Sequence, residues 1–287
     1  MSEMPKLESF TMKASLVICA LAVLSVALIP LAGTQDLGTP GAVIGVLLIV
    51  AICILHGIAT KGYRKALGFV AVAAVVAWFV EFIGCNYGWW FGDYEYTDEL
   101  GPRIGNVPIM VVISWEGIIY PSMILVDELI GRKGPVSRGQ HLVQIVLASL
   151  ATGLVVTAWD FLADPVSVNN GFWKWDNGGG YVPDIHGGIP FSNFGLMGWV
   201  GAVAMISLLY RYVFTDEKTA TLPTPAATLT ATALYTAWFC NAIYANLHWG
   251  SVNPAFHQVV LVGCFVMGPV VVFGWTRVFM ARAAGQG

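Results

Sequence analysis

The stretch AVIGVLLIVAICILHGIATKGYRKALGFVAVAAVVAWFV (42–80) sets two long apolar runs either side of KGYRK (61–65), a break that holds Lys61, Arg64 and Lys65. A helix needs roughly 20 mostly apolar residues to cross the hydrocarbon core of a bilayer, and each run approaches that length. The pair reads as a transmembrane hairpin with a basic turn. Working outward, the same criterion gives eight spans, at about 12–32, 41–59, 66–84, 107–130, 140–162, 189–213, 226–247 and 255–280. The predicted fold class is all-α, a polytopic membrane helix bundle forming one integral membrane domain over residues 1–287. The first run shares features with a signal peptide, Lys13 preceding it and Ala32-Gly33 closing it. It exceeds the usual signal-core length and is read as a retained helix.

Composition agrees. Hydrophobic residues make up 57% and charged residues 11% of the chain, with a mean hydropathy of +0.71. Soluble domains carry about 25% charged residues, so this chain lacks the polar surface to face water all round. A net charge of -3 offers no basic footprint for nucleic acid. Cys19, Cys53, Cys85, Cys240 and Cys264 are odd in number, form no CxxC pair and mostly lie in apolar runs. Neither a disulfide framework nor a zinc site follows from them. The five histidines are too few and too scattered for a histidine-box di-iron enzyme.

Charge tests the alternation of spans. With eight crossings both termini share a side with the loops near 60–65, 131–139 and 214–225. The opposite side then carries only Arg103 and Lys174, and every other Lys and Arg falls with the termini. Cytoplasmic loops hold the Lys/Arg excess, so both termini are expected in the cytoplasm of a cell-membrane protein. The two long loops, 85–106 and 163–188, lie on the other side and are rich in Trp, Tyr and Gly. Loops of this length between helices are commonly functional, and their aromatic content argues against disorder.

Ionisable groups within a span are a functional hypothesis by default. Glu116 falls near mid-membrane, Glu81 about one turn from the long-loop end of its span, and Asp160 near the same end of another. Interfacial anchoring accounts equally for Glu81 and Asp160 taken singly. Glu116 at its depth needs a partner or a proton, and a protonated carboxyl is what a general acid requires. Asp164 precedes Pro165, which disfavours helix there, so Asp164 is expected to open the loop. In the seventh span Trp238, Asn241, Tyr244, Ala245 and His248 recur at three- and four-residue spacing. Such a face points into the bundle, either as a hydrogen-bonding seam or against a substrate. Trp89, Trp90, Trp173 and Trp175 suit interfacial anchoring, although aromatic faces also attract cations. Residues 81–108 and 160–190 echo one another: an acid and Phe, then GWWFGDYEY or FWKWDNGGGY, then Val-Pro or Ile-Pro. Duplication of a two-helix unit and shared interfacial composition both account for the echo.

The stretch EFIGCNYGWWFGDYEYTDELGPRIGNVPIMVVISW (81–115) resembles the signature of the multi-pass carotenoid biosynthesis family. That family contains the carotenoid 1,2-hydratases, of the bisanhydrobacterioruberin and gamma-carotene hydratase type. The matching positions are Glu81, Gly84, Phe91-Gly92, Tyr94, Tyr96-Thr97, Gly101-Pro102, Val107-Pro108 and Trp115. WDFLADPVSVNNGFWKW (159–175) is similar to its D-x-x-x-DP and W-x-W elements, and GIPFSNFGLMGW (188–199) to its G-x-P-x-x-NF and GW. The likeness covers roughly residues 66–200.

The resemblance implies cofactor-independent hydration of the terminal double bond of an acyclic carotenoid, with water and the lipid bilayer as the other partners. Protonation would give a tertiary carbocation that water captures, with no metal and no redox cofactor. The sequence holds no dinucleotide fingerprint or P-loop. Candidate proton donors are Glu116, Glu81 and Asp160. Asp164, Asn193, Asn241 and His248 are candidates for placing water, and Tyr94, Trp115 and Trp159 for lining a cation pocket. A lycopene-type cyclase or isomerase would use the same protonation. A UbiA-type prenyltransferase is prompted by D-x-x-x-D at 160–164, yet only one such motif is clear and basic partners are scarce on that side. A carotenoid-binding or proton-coupled transport protein is the non-enzymatic alternative.

Overall fold

The computed structural model describes residues 4–32, 38–130, 136–215 and 222–285. Nine helices run through them: α1 (Met4–Ala32), α2 (Gly38–Lys61), α3 (Tyr63–Tyr87), α4 (Ile109–Ile130), α5 (Arg138–Asn169), α6 (Trp199–Phe214), α7 (Pro225–Gly250), α8 (Ala255–Val266) and α9 (Gly268–Ala283). Among these, seven stretches are long and apolar enough to cross a membrane. The molecule is a multi-pass membrane helix bundle. Arg132, Lys133 and Lys218, counted above among the Lys and Arg that fall with the termini, lie outside the described residues.

Two of the expected spans depart from a simple apolar helix. The seventh, α7, is not among the seven because Thr and Asn dilute its hydropathy. It does not need a lipid-facing surface all round, since α1, α4, α5, α8 and α9 pack about it. The eighth is two helices, α8 and α9, meeting at Met267. Pro269 follows there, and its ring denies the preceding turn a backbone donor. Gly153 sets a close helix contact: a Cβ on it would stand 2.4 Å from the Val200 carbonyl oxygen, so only glycine lets α5 meet the start of α6 at this spacing.

Asp164 does not open the loop. Helix α5 continues through Pro165 to Asn169, because a side chain replaces the missing donor. Pro165 has no N–H for the Phe161 carbonyl four residues back, and the Tyr181 hydroxyl donates to that oxygen at 2.9 Å. The same device recurs in α4. Pro121 leaves the Gly117 carbonyl free, and the Trp238 indole N–H donates to it at 2.9 Å.

At one end of the bundle the two long loops are stitched together. Strand β1 (Tyr94–Tyr96) pairs antiparallel with β4 (Trp173–Trp175), in the register Tyr94 to Trp175, Glu95 to Lys174 and Tyr96 to Trp173. Alternation along a strand puts Glu95 and Lys174 on the outer face, where they pair at 2.6 Å, and turns the aromatics inward. Strands β2 (Arg103–Ile104) and β3 (Val107–Pro108) form a hairpin whose turn, Gly105-Asn106, has φ of 58° and 72°. Both are left-handed, as a two-residue hairpin turn of this kind requires. At the opposite end Arg211 of α6 pairs with Asp127, and Arg277 of α9 with Glu128 at 2.6 Å, binding both helices to α4.

Candidate active site

The inward aromatics of β1 lie over Glu81, at the loop end of α3. The Tyr96 hydroxyl donates to Glu81 Oε2 at 2.7 Å, and the Tyr94 hydroxyl donates to the same oxygen. Gly84, one turn further along α3, makes room for this: a Cβ there would stand 2.8 Å from Tyr94 Oη. Both phenols are held well above the ordinary tyrosine value, first by burial and then by the Glu81 charge. They therefore keep their protons and act as donors. Trp115 of α4, 1% exposed, completes this wall. Its indole nitrogen is buried beside the Glu81 carboxyl.

The second wall belongs to α5. Asp160 and Asp164 are one helical turn apart on the same face and are 1% and 2% exposed. The Asn193 amide, on the short 3-10 turn Phe191–Phe194, donates to Asp160 Oδ2 at 3.0 Å and to Asp164 Oδ2 at 2.6 Å. The shared Asn193 amide brings the two carboxyls close together. Buried carboxyls without a cation must be satisfied by such hydrogen bonds, and Asn193 meets both.

Between the walls lies a cavity of about 180 Å³. It has room for an end group and a water rather than for an entire polyene. Its remaining surface is aromatic. Trp115 stacks on Trp199 at 4.4 Å between ring centroids, and Trp159 meets Trp199 edge-on at 5.9 Å and Trp238 at 5.2 Å. Phe91 abuts Trp115 and Trp199, and Tyr94 lies against Trp175 at 6.0 Å. A half-buried rim of Val43, Val46, Met110 and Val111, from α2 and α4, borders the same space.

Of the residues singled out from sequence, Glu81, Asp160, Asp164, Tyr94, Trp115, Trp159 and Asn193 line this one cavity. Glu116, Asn241 and His248 do not. Glu116 is buried on another face of α4, against a small void lined by Cys53, Gly57, Phe69 and Tyr120. Asn241 is exposed on α7, and His248 is half-buried and packs its ring on Trp249 at 5.0 Å. The inward ridge of α7 is the four-residue row Trp238, Ala242 and Asn246, all buried; the three-residue row through Asn241 turns outward. Asn246 donates to the Leu162 carbonyl at 3.0 Å and so braces α5 behind the aspartates. Tyr96, Trp173, Trp175, Trp199 and Trp238 also line the cavity. Tyr96, Trp173, Trp175 and Trp199 stand in the quoted motifs, which was the available signal; what hid them was the equally good reading of an interfacial aromatic as an anchor.

A family model described as carotenoid biosynthesis protein matches residues 41–265. Over 152 residues the chain is 28% identical to a bisanhydrobacterioruberin hydratase from Haloarcula japonica, a stretch covering 53% of this chain and 46% of that relative. The chain thus spans less than half the length of the curated relative it matches. No solved structure matches.

Proposed function

The chain belongs to the carotenoid biosynthesis protein family, and on that footing we propose that it hydrates the terminal trisubstituted double bond of an acyclic carotenoid. The observation that carries this reading is the aromatic cavity with buried carboxyls in two of its walls. A carboxyl proton is transferred to the less substituted carbon, and the π pair forms the new C–H bond. The tertiary carbocation so produced is stabilised by the faces of Trp115, Trp159 and Trp199, which attract positive charge. A single held water then adds its lone pair to the cation and loses a proton, giving the tertiary alcohol. Every atom of the product comes from substrate and water, so no metal, redox cofactor or further reactant enters the balance.

The cavity's position supports the substrate class. It lies beneath the loops at one end of the bundle, bordered by apolar residues of α2 and α4. A polyene can stay in the bilayer while its end group reaches the acids. We place this end on the non-cytoplasmic face of the cell membrane with both termini cytoplasmic, because Lys and Arg concentrate at the other end. The whole chain acts as one membrane domain in this reading.

The test is product mass, using membranes that contain the chain and an acyclic carotenoid, in ordinary and oxygen-18 water. Gain of one water per modified end, with the label in the hydroxyl, is expected. A product isomeric with the substrate would move the assignment to a cyclase or isomerase. Unchanged carotenoid bound to folded protein would leave a binding role.

A further inference from the structure

The sequence echo becomes geometry in the loops. One sequence offset relates Glu81 to Asp160, Phe82 to Phe161, Cys85 to Asp164, Tyr94 to Trp173, Glu95 to Lys174 and Tyr96 to Trp175. The β1–β4 register joins Tyr94 to Trp175 and Tyr96 to Trp173, with Glu95 opposite Lys174 at its centre. Antiparallel pairing centred on equivalent residues is what a local two-fold axis through Glu95 and Lys174 produces. The helices follow it: α3 packs on α6 as α4 packs on α5. Two helix–loop–helix units of matching order therefore face each other across the cavity, and each contributes its acid to one wall.

The copies differ where proton chemistry is decided. Asp160 has a second carboxyl, Asp164, close by, and Asn193 spans both. Glu81 has Cys85 at the equivalent place, and its carboxyl instead accepts from two phenols that keep their protons. Beside Glu81 the buried Trp115 indole N–H is a further donor on the same cavity wall. A water that enters the cavity here can accept from the indole and donate to the carboxylate.

Resting on the hydration reading, we propose that the two walls divide its two proton transfers. The Asp160–Asp164 pair gives its proton to carbon. Glu81, with Trp115, holds the attacking water and takes the proton that the water loses when its oxygen bonds to the cation. One turnover moves one proton from the aspartate wall to the glutamate wall, and solvent restores both. The two units thus supply an acid and a base from matching positions.

The experiment follows hydration and deuterium exchange together, in heavy water, with membranes containing each full-length variant and an acyclic carotenoid. In Glu81→Gln the cation still forms but is not captured, and it returns to the starting alkene by releasing to the aspartate wall a hydrogen from the carbon that was protonated. Hydration falls at least ~100-fold, within the range general acid–base groups supply, while deuterium enters the vinylic carbon of the terminal double bond in recovered carotenoid. In Asp160→Asn hydration and exchange fall together. Tyr96→Phe, which keeps the ring and removes one donor to Glu81, serves if Glu81→Gln does not fold; its hydration falls about tenfold while exchange per hydration rises. Exchange that survives in Asp160→Asn and vanishes in Glu81→Gln, or a Tyr96→Phe that loses both together, overturns the division while leaving hydration standing. A wild-type chain that neither hydrates nor exchanges overturns the parent reading itself.

Discussion

Replacing Tyr181 by Phe removes one oxygen and leaves the ring, which packs edge-on against Phe161 at 5.2 Å and Phe194 at 5.3 Å between centroids. The lost hydroxyl is the donor to the Phe161 carbonyl, whose helical donor Pro165 cannot supply. A typical hydrogen bond contributes about 1 kcal/mol net, and stranding a buried acceptor costs about 1–3 kcal/mol. Phe161 is half-buried, so Tyr181→Phe should destabilise the protein by ~1–2 kcal/mol. The decisive measurement is a double-mutant cycle with Pro165→Ala, by SDS titration in mixed micelles with tryptophan fluorescence as the signal. An alanine N–H at 165 bonds the Phe161 carbonyl within the helix, so in that background Tyr181→Phe should cost close to nothing. The two sites should then couple by about 1 kcal/mol or more. Equal costs in both backgrounds would refute the idea that Tyr181 replaces the backbone donor and lets α5 carry Asp164 inward.

Asn193→Leu leaves Asp160 and Asp164 without their shared donor and should lower carotenoid conversion by at least ~100-fold, as expected for a disrupted acid; near-normal turnover would remove the pair from the chemistry. Glu116→Gln should leave conversion within about twofold of wild type, because the group faces a different void from the substrate, and a product assay on equal amounts of folded protein decides it. Gly153→Ala forces a Cβ to within 2.4 Å of the Val200 carbonyl oxygen and should destabilise the bundle by about 1–3 kcal/mol in the same SDS titration. Tyr94, Tyr96 and Tyr181 are held above the ordinary tyrosine range, chiefly by burial. Their phenols stay neutral in the fold while an unfolded chain ionises near pH 10, so these groups oppose unfolding least, and favour it increasingly, as pH rises past about 10. Spectrophotometric titration at pH 11 should count fewer phenolates in the native protein than in the denatured one, and equal counts would contradict the burial of these rings.

Most of the fold was legible because membrane helices announce themselves in a local property. Length and apolarity place α2, α3, α4 and the α8–α9 pair to within a few residues, since a backbone in hydrocarbon must satisfy its hydrogen bonds within its own helix. Helices α1 and α5 extend past their expected bounds, and α6 starts later than expected. Local rules failed where a distant side chain took over a backbone duty. Pro165 marks a helix end by every local criterion, and only Tyr181, brought back by the second loop, makes Asp164 a helical residue one turn from Asp160. The site was half legible for a similar reason. Glu81, Asp160 and Asp164 stand out because charge is rare in a span, but rarity alone marks Glu116 equally, and only packing turns it away from the cavity. In α7 the three- and four-residue rows are indistinguishable on paper, and contact with α4 and α5 selects the row through Trp238 and Asn246. By itself, then, the sequence determined a multi-pass bundle with aromatic loops at one end and acids beneath them, because hydropathy and charge act residue by residue. The convergence of two distant acids on one cavity was decided by the tertiary structure, because a pairing of β1 with β4 depends on chain segments that nothing local brings together.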